Sequence, residues 1–237
     1  MRKILISGAS RGIGKAIALK LLNEGHYLSL GVRKKEDLIN TSLDPKSNYT
    51  ERVIINPYDA LDASSSKEWV ERTVKTFKNI DTIIHCAGIL KKTGLIFNDN
   101  ELQDIDNLWK VNVMGPWILT KDAWNYLSMS NSARIIVLVS MSGKRSKGNL
   151  ASYSMSKFAL MSLCQTMRNE GFNKGIRVTA ICPGWVDTDM AKEVNQFRKE
   201  DMTQPSAIAD ICSNLLVLPN SSVPFEIAIN CQLETSN

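Results

Sequence analysis

Histidine is nearly missing from this sequence of 237 residues, which holds only His26 and His85. Neither stands at ligand spacing from a cysteine, and the five cysteines, Cys86, Cys164, Cys182, Cys212 and Cys231, form no C-x-x-C pair. The sequence therefore predicts no metal site. An odd cysteine count, with most of them in apolar runs, points to small buried thiols in a reducing compartment and not to a disulfide framework. Long hydrophobic runs are also missing. The longest plain runs, such as Ile135 to Val139, are a few residues long, against about 20 for a membrane span. Met1-Arg2-Lys3 opens like a signal peptide, but the apolar segment after it stops at Ser7-Gly8. We expect a first strand there, a cytoplasmic protein and no membrane partner. Nor is charge of one sign in large excess: 29 basic against 24 acidic side chains gives +5. That balance suits an anionic ligand, and no Lys/Arg-dense block calls for nucleic acid. What remains is ordinary globular composition, 43% hydrophobic and 22% charged, which excludes wholesale disorder. The length fits one domain over residues 1–237, with no repeat, low-complexity segment or dividing linker.

Short β-branched runs alternate with helical patterns along the chain. Lys3–Ser7 reads as a strand, and Gly12–Glu24 as a helix with Ile13, Ala16, Ile17 and Leu21 on one face. Strands follow at Tyr27–Val32 and, after a polar stretch from Asn40 to Thr50, at Glu51–Ile55. Ser64–Lys78 reads as a helix N-capped by serine, with Val70, Val74 and Phe77 aligned. Next come a strand at Asp81–His85 and a helical pattern over Leu102–Leu127, in one piece or two. Arg134–Ser140 carries the near-continuous apolar run of a strand buried on both faces. Ser152–Glu170 is helical, with Leu160, Leu163, Cys164 and Met167 at helical spacing, and ends at Gly171 and Gly175. Strand Arg177–Cys182, helix Pro205–Leu218 and strand Phe225–Asn230 complete the order. Strict βαβα alternation predicts an α/β protein: a Rossmann-like, doubly wound parallel sheet of about seven strands with helices on both faces. Ligands of such sheets bind at the carboxyl ends of the strands.

Two clusters fall there. Gly8-Ala9-Ser10-Arg11-Gly12-Ile13-Gly14 links the first strand to the first helix. Glycines allow a sharp turn and close approach of a pyrophosphate to the helix N-terminus. A P-loop does not fit, because Ala9 and Ala16 occupy its first Gly and its Ser/Thr positions. A glycine-rich tight turn without a ligand is the plainer alternative. Further on, Tyr153 and Lys157 lie four residues apart, one helical turn on one face. A phenol titrates near about 10, and an adjacent cation favours its phenolate, making it a usable acid. Ser140 ends the preceding strand, and the loop between can bring its hydroxyl to Tyr153. An exposed helix pair is the plainer reading of Tyr153 and Lys157 taken alone.

Taken together, these residues resemble a known family, the short-chain dehydrogenases/reductases, in its compact single-domain branch. The glycine pattern TGxxxGxG appears as Ser7-Gly8-Ala9-Ser10-Arg11-Gly12-Ile13-Gly14. The acidic residue after strand three matches Asp59, followed by Ala60; NNAG appears as His85-Cys86-Ala87-Gly88; and the helix asparagine matches Asn112. The serine matches Ser140, YxxxK runs from Tyr153 to Lys157, and the PG motif is Pro183-Gly184-Trp185-Val186-Asp187-Thr188. The resemblance implies a nicotinamide oxidoreductase acting on a small carbonyl or alcohol. Ser140 would hold the substrate oxygen, and Tyr153 would donate the proton. Lys157 would lower the Tyr153 pKa and bind the nicotinamide ribose, and Asn112 would hold a water linking Lys157 to solvent. Gly8, Ser10, Gly12, Ile13 and Gly14 would cradle the pyrophosphate. Asp59 and Ala60 would meet the adenine, Ala87 and Gly88 the ribose, and Pro183, Gly184, Val186 and Thr188 the carboxamide and phosphates. Strand two ends Leu28-Ser29-Leu30-Gly31-Val32 with no acid before Glu36. Arg33 and Arg11 are therefore expected to face a 2′-phosphate, which makes the cofactor NADP(H).

Three departures stand out. Ser7 replaces Thr and keeps the hydroxyl. His85-Cys86 replaces the asparagine pair, so bracing of strand four is weakened; a base at His85 and a redox thiol at Cys86 stand beside the plainer reading of a packed structural pair. The C-terminal Phe225–Asn230 stretch lacks the glycine-rich ending of the family's tetramers. A homodimer is expected through Leu102–Leu127 and Ser152–Glu170, with Trp117 and Trp124 either at the interface or in the core. Asp189–Gln204 falls where the family's substrate lid sits and reads as an amphipathic helix. A catalytically weak nucleotide-sensing protein of the same fold is the alternative of another class. A serine hydrolase built on Ser140 lacks both G-x-S-x-G and a following histidine. An extended-branch sugar epimerase lacks room for its larger substrate domain.

Overall fold

The computed structural model describes residues 1–46, 51–191 and 198–229. Asn230, Cys231 and the centre of the Asp189–Gln204 segment, with Lys192, Glu193, Val194 and Phe197, lie outside the described residues. Seven strands, β1 (Lys3–Ser7), β2 (Tyr27–Val32), β3 (Val53–Pro57), β4 (Thr82–His85), β5 (Arg134–Leu138), β6 (Arg177–Pro183) and β7 (Glu226–Ile229), form one sheet in the order β3-β2-β1-β4-β5-β6-β7. Every neighbouring pair is parallel. Among the described residues, six α-helices connect them: α1 (Gly12–Asn23), α2 (Ala63–Phe77), α3 (Leu102–Trp109), α4 (Gly115–Ser128), α5 (Ala151–Gly171) and α6 (Pro205–Val217).

The two faces of the sheet follow from the period of two along each strand. Ile4 and Ile6 of β1 point to one face, where Ile17 and Leu21 of α1 and Ile208, Cys212 and Leu215 of α6 cover them. Leu5 points to the other, beneath Trp69 of α2, Leu119 and Ala123 of α4 and Leu160, Cys164 and Met167 of α5. β5 is buried at every position, as a central strand covered on both faces must be. The chain builds β1 to β3 outward in one direction and then returns to β4 on the other side of β1. That reversal opens a crevice at the carboxyl ends of β1 and β4.

Three local details differ from the sequence reading, and a fourth settles one that it left open. β3 runs two residues later than expected, because Asn56 is accommodated inside the sheet by donating to Ser29 Oγ at 3.1 Å. Pro57 is tolerated because β3 is an edge strand. The cap of α2 is Asp62, whose carboxylate accepts from the Ser64 N–H at 2.9 Å, and not a serine. β5 stops at Leu138, and Ser140 already lies at φ 151° and ψ 158°, a region costly for any residue with a side chain. The long helical pattern divides into α3 and α4 around a π-helical turn, Lys110–Met114. Pro116 has no N–H to give to the Asn112 carbonyl four residues back, so a regular α-turn cannot continue there.

At the opposite end of the sheet, two arginines close the C-terminus of α6. Arg134 is buried yet has no carboxylate partner among the described residues; it donates to the carbonyls of Leu215 and Leu218 and to Asn220 Oδ1. Arg2 donates to the Leu216 carbonyl at 2.9 Å. Orphan carbonyls at the negative end of a helix favour such cations.

Candidate active site

The glycine loop leaves β1 at Ser7. The Ser7 hydroxyl accepts from the N–H groups of Cys86 and Ala87, both at 3.2 Å, and so ties the end of β1 to the end of β4. This restores the bracing that the His85-Cys86 pair had put in doubt. Gly8 has φ 69°, and a Cβ there would lie 2.7 Å from the Ala87 nitrogen. A Cβ on Gly14 would lie 2.3 Å from the Gly8 carbonyl oxygen. Neither position admits a side chain without moving backbone. Arg11, at the N-cap of α1, makes no side-chain cap hydrogen bond, and the first turn holds no acid. The helix therefore turns uncapped N–H groups toward the crevice.

The crevice consists of two chambers. The first, about 350 Å³, is walled by Gly8, Ser10, Arg11, Gly12, Ile13, Gly14, Arg33, Asp59, Ala60, Ala87, Gly88 and Thr188. Residues expected to meet the phosphates, ribose and adenine thus converge on one space. Arg11 stands 3.6 Å from Asp189, whereas Arg33, at the end of β2, forms no ion pair among the described residues. The second chamber, about 130 Å³, is walled by Ser140, Tyr153, Lys157, Pro183, Gly184, Val186 and Thr188. Ile13, Cys86, Gly88, Ile89, Thr188 and Met190 border both.

Ser140 is held at the mouth of the β5–α5 loop, where its hydroxyl accepts from the Ser142 N–H at 3.1 Å. The Ser140 side chain lies close enough to the Tyr153 hydroxyl to favour its ionised form. Burial raises the Tyr153 pKa to about 12, with the Ser140 contact acting in the opposite direction. Burial also lowers Lys157, to about 8. The expectation that Lys157 lowers the Tyr153 pKa is not met: the Lys157 Nζ is 5.7 Å from the phenol ring centre and donates to the Leu138 carbonyl at 3.0 Å. Desolvation is the largest cause of both shifts.

Asn112 sits in the π-helical turn, fully buried. Its Oδ1 accepts from the Ile89 N–H at 2.9 Å, and its Nδ2 donates to the Ile89 carbonyl at 3.0 Å and to Ser156 Oγ at 3.1 Å. Ser156 in turn donates to the Tyr153 carbonyl at 2.7 Å. The side chain thus clamps the β4 exit to the second turn of α5. A Cβ on Gly88 would stand 3.4 Å from Asn112 Oδ1 and 3.8 Å from Lys157 Nζ, so Gly88 fills the gap between them.

His85 is packed under α4, with Nε2 2.9 Å from the Thr120 hydroxyl, and burial depresses its pKa to about 3. It stays neutral and borders neither chamber, so it is no base here. Cys86 does border both chambers, but burial pushes its thiol well above the usual range, opposite to what a reactive thiolate needs. Cys164, Cys182 and Cys212 are buried free thiols. Among the described residues no cluster of side chains could hold a metal ion, and no helix is long and apolar enough to cross a membrane.

Several wall residues were not found from sequence. Asn107, Val111, Tyr58 and Leu61 border the first chamber; Leu90, Arg145, Lys147, Leu150 and Trp185 border the second. Most stand on irregular segments, where periodicity gives no signal. The described parts of the expected lid are short turns, Asp189–Ala191 and Lys199–Asp201, and not a continuous helix. Of these, Met190 reaches both chambers.

Comparison with known proteins agrees with this geometry. The family model described as short chain dehydrogenase matches residues 2–199. The chain is 34% identical to an agropine synthesis reductase of Rhizobium rhizogenes, over 98% of this chain and 53% of that protein, so it spans about half the length of that relative. It is 30% identical to a 3-oxoacyl-[acyl-carrier-protein] reductase of Rickettsia bellii, over 84% of this chain and 79% of the relative. An alcohol dehydrogenase from the archaeon Thermococcus sibiricus, solved in complex with 5-hydroxy-NADP, has a TM-score of 0.86 at 27% identity and covers 97% of this chain and 96% of its own. The crevice, the order of its motifs and these likenesses lead to one conclusion: the chain belongs to the short-chain dehydrogenase/reductase family of oxidoreductases.

Proposed function

We propose that the chain is an NADPH-dependent reductase of a small carbonyl compound, with Tyr153 as proton donor. One observation carries this reading: the Ser140 and Tyr153 side chains and Lys157 share a chamber whose wall is continuous with that of the glycine-loop chamber. The residues present fit a dinucleotide. A Cβ would fill the cradle at Gly8 and Gly14, and the uncapped α1 N-terminus suits a pyrophosphate. The Thermococcus sibiricus relative was solved with an NADP derivative. Arg33 and Arg11 supply guanidinium groups at the place where a 2′-phosphate selects NADP(H) over NAD(H). When bound, the cofactor supplies the hydride.

The protein supplies orientation and a proton. Because burial raises its pKa to about 12, the Tyr153 phenol keeps its proton at neutral pH, the state an acid needs. It donates that proton to the substrate oxygen, which the Ser140 hydroxyl holds in place. Lys157 stands behind Tyr153, and Asn112 fixes the α5 turn that carries both. Two of the curated relatives are named as reductases, which supports reduction as the proposed direction. The test is NADPH consumption over a panel of ketones and aldehydes. We expect stoichiometric alcohol formation with at least one. Tight NADPH binding with no carbonyl reduced contradicts the proposal and leaves a nucleotide-binding protein.

The proposal includes a homodimer. Trp109 and Trp117 on α3 and α4 and Met155 and Phe158 on α5 are exposed, a concentration of apolar side chains that a second copy can cover. Trp124 is partly buried and packs with the core.

A further inference from the structure

We infer that Trp69 is a positioning residue for the adenosine half of the cofactor: by holding Gly31 at the end of β2, it sets the preference for the 2′-phosphate that Arg33 meets. This deepens the proposed NADP(H) site and rests on that reading. Trp69, on α2, is fully buried and borders neither chamber. The two strand ends that it supports do border the first: Gly31 and Arg33 at the end of β2, Tyr58 and Asp59 after β3.

Two contacts fix the indole. Ser29 and Gly31 stand two residues apart, on one face of β2. At Ser29 the indole Nε1–H donates to the hydroxyl at 2.8 Å. The same oxygen accepts from Asn56 Nδ2 at 3.1 Å and gives its own proton to Thr73 Oγ1 at 2.6 Å. Thr73 Oγ1 in turn donates to the Trp69 carbonyl at 2.8 Å. A buried network of this kind holds the ring in one orientation. At Gly31 the six-membered ring of the indole fills the place of a side chain. A Cβ there would stand 2.5 Å from Trp69 Cη2 and 2.6 Å from Cζ3. The large residue on α2 thus requires the small one on β2.

Short links carry this packing to the site. The Gly31 carbonyl accepts from the Gly8 N–H at 3.0 Å, which ties the glycine loop to the end of β2. The Val32 carbonyl accepts from the Tyr58 N–H at 3.0 Å, and the Tyr58 ring lies against the indole with centroids 4.9 Å apart. Arg33 follows Gly31 by two residues. A shift of the indole or of Gly31 therefore moves both strand ends that wall the adenosine half. Ser140, Tyr153 and Lys157 lie beyond β1 and β4, in the other chamber.

The test titrates adenosine 2′,5′-bisphosphate and adenosine 5′-monophosphate, which differ only in the 2′-phosphate, into wild type, Gly31→Ala, Trp69→Phe and the double variant. Neither nucleotide carries a nicotinamide, so the readout is independent of turnover. Gly31→Ala drives a Cβ against the indole, and the ratio of bisphosphate to monophosphate affinity should fall about tenfold or more. Phenylalanine stops short of the distal ring and gives Ser29 no N–H, so Trp69→Phe should also lower the ratio. In the double variant the new Cβ takes the space that the indole leaves, and the ratio should return to within about threefold of wild type. A merely structural role lowers the melting temperature, or weakens both nucleotides alike, and leaves the ratio where it was. Should Gly31→Ala not fold, Trp69→Phe and the double variant carry the test. A wild type that binds both nucleotides equally removes the 2′-phosphate site, and this inference with it. A wild type that prefers the bisphosphate, with the ratio unchanged in the single variants or not restored in the double, overturns the inference alone.

Discussion

Burial moves the two central titrating groups in opposite directions, the Tyr153 phenol up to about 12 and the Lys157 ammonium down to about 8. The lysine shift has a stability consequence with a definite sign. Between pH about 8 and the ordinary lysine value of 10.5, the unfolded chain holds a proton that the folded chain has released. Folding stability contributed by this group therefore rises with pH across that window. Urea midpoints of wild type and Lys157→Met, measured from pH 7 to 10, should show wild type gaining on the variant; a constant difference contradicts the shift. A second prediction concerns Arg33 and Arg11. A hydrogen bond to a charged group is worth roughly 1.5–3 kcal/mol. Alanine at either arginine should thus weaken NADPH binding about ten- to a hundredfold and NADH binding far less. Arg11 should show the smaller loss, because it also faces Asp189. Equal losses for both cofactors, or a wild-type preference for NADH, removes the 2′-phosphate contact. At this scale the residue types were legible from the motifs, but their states were not. Nothing in Tyr153-Ser154-Met155-Ser156-Lys157 reveals that Lys157 points to the Leu138 carbonyl, nor that His85 is buried under Thr120.

The elements show where local pattern carries information and where it does not. The π-helical turn that presents Asn112 is invisible in a helical hydrophobic pattern; its one local marker is Gly115-Pro116, which removes the donor a regular turn needs. β3 lay two residues from its expected place because Asn56 looks like a turn residue until Ser29 is found beside it. The glycine loop, by contrast, was readable in full, since its constraint is backbone contact. Gly14→Ala would place a Cβ 2.3 Å from the Gly8 carbonyl oxygen. We expect the loop to shift, at a cost of roughly 1–3 kcal/mol in stability, and NADPH affinity to fall more than about tenfold. Thermal melts and cofactor titration check this, and unchanged affinity contradicts it. Arg134→Ala acts at the other end of the sheet. It strips donors from the Leu215 and Leu218 carbonyls, each buried orphan costing roughly 1–3 kcal/mol. The urea midpoint should drop with the slope unchanged and with NADPH affinity intact. An unmoved midpoint shows that water replaces the guanidinium at no cost.

For the whole molecule, strict βαβα alternation led to the parallel sheet, its helices on both faces and the crevice at the switch point between β1 and β4. Topology was legible because right-handed crossovers leave few ways to thread such a chain. Cavity walls on irregular loops, such as Arg145 and Trp185, were not, because they meet only in three dimensions. The exposed Trp109, Trp117, Met155 and Phe158 belong to this scale as well. Light scattering at micromolar concentration should give a dimer, which Trp117→Glu weakens; a monomer or a stable tetramer contradicts the pairing. The central claim is that Tyr153 gives a proton to a carbonyl beside a bound dinucleotide. It is tested most directly by Tyr153→Phe, with turnover and NADPH affinity measured side by side on a carbonyl that the wild type reduces. A positioned acid contributes roughly 10²–10⁴-fold in rate, so turnover should fall by about that factor while the Kd for NADPH stays within about twofold. Turnover within about threefold of wild type contradicts the account.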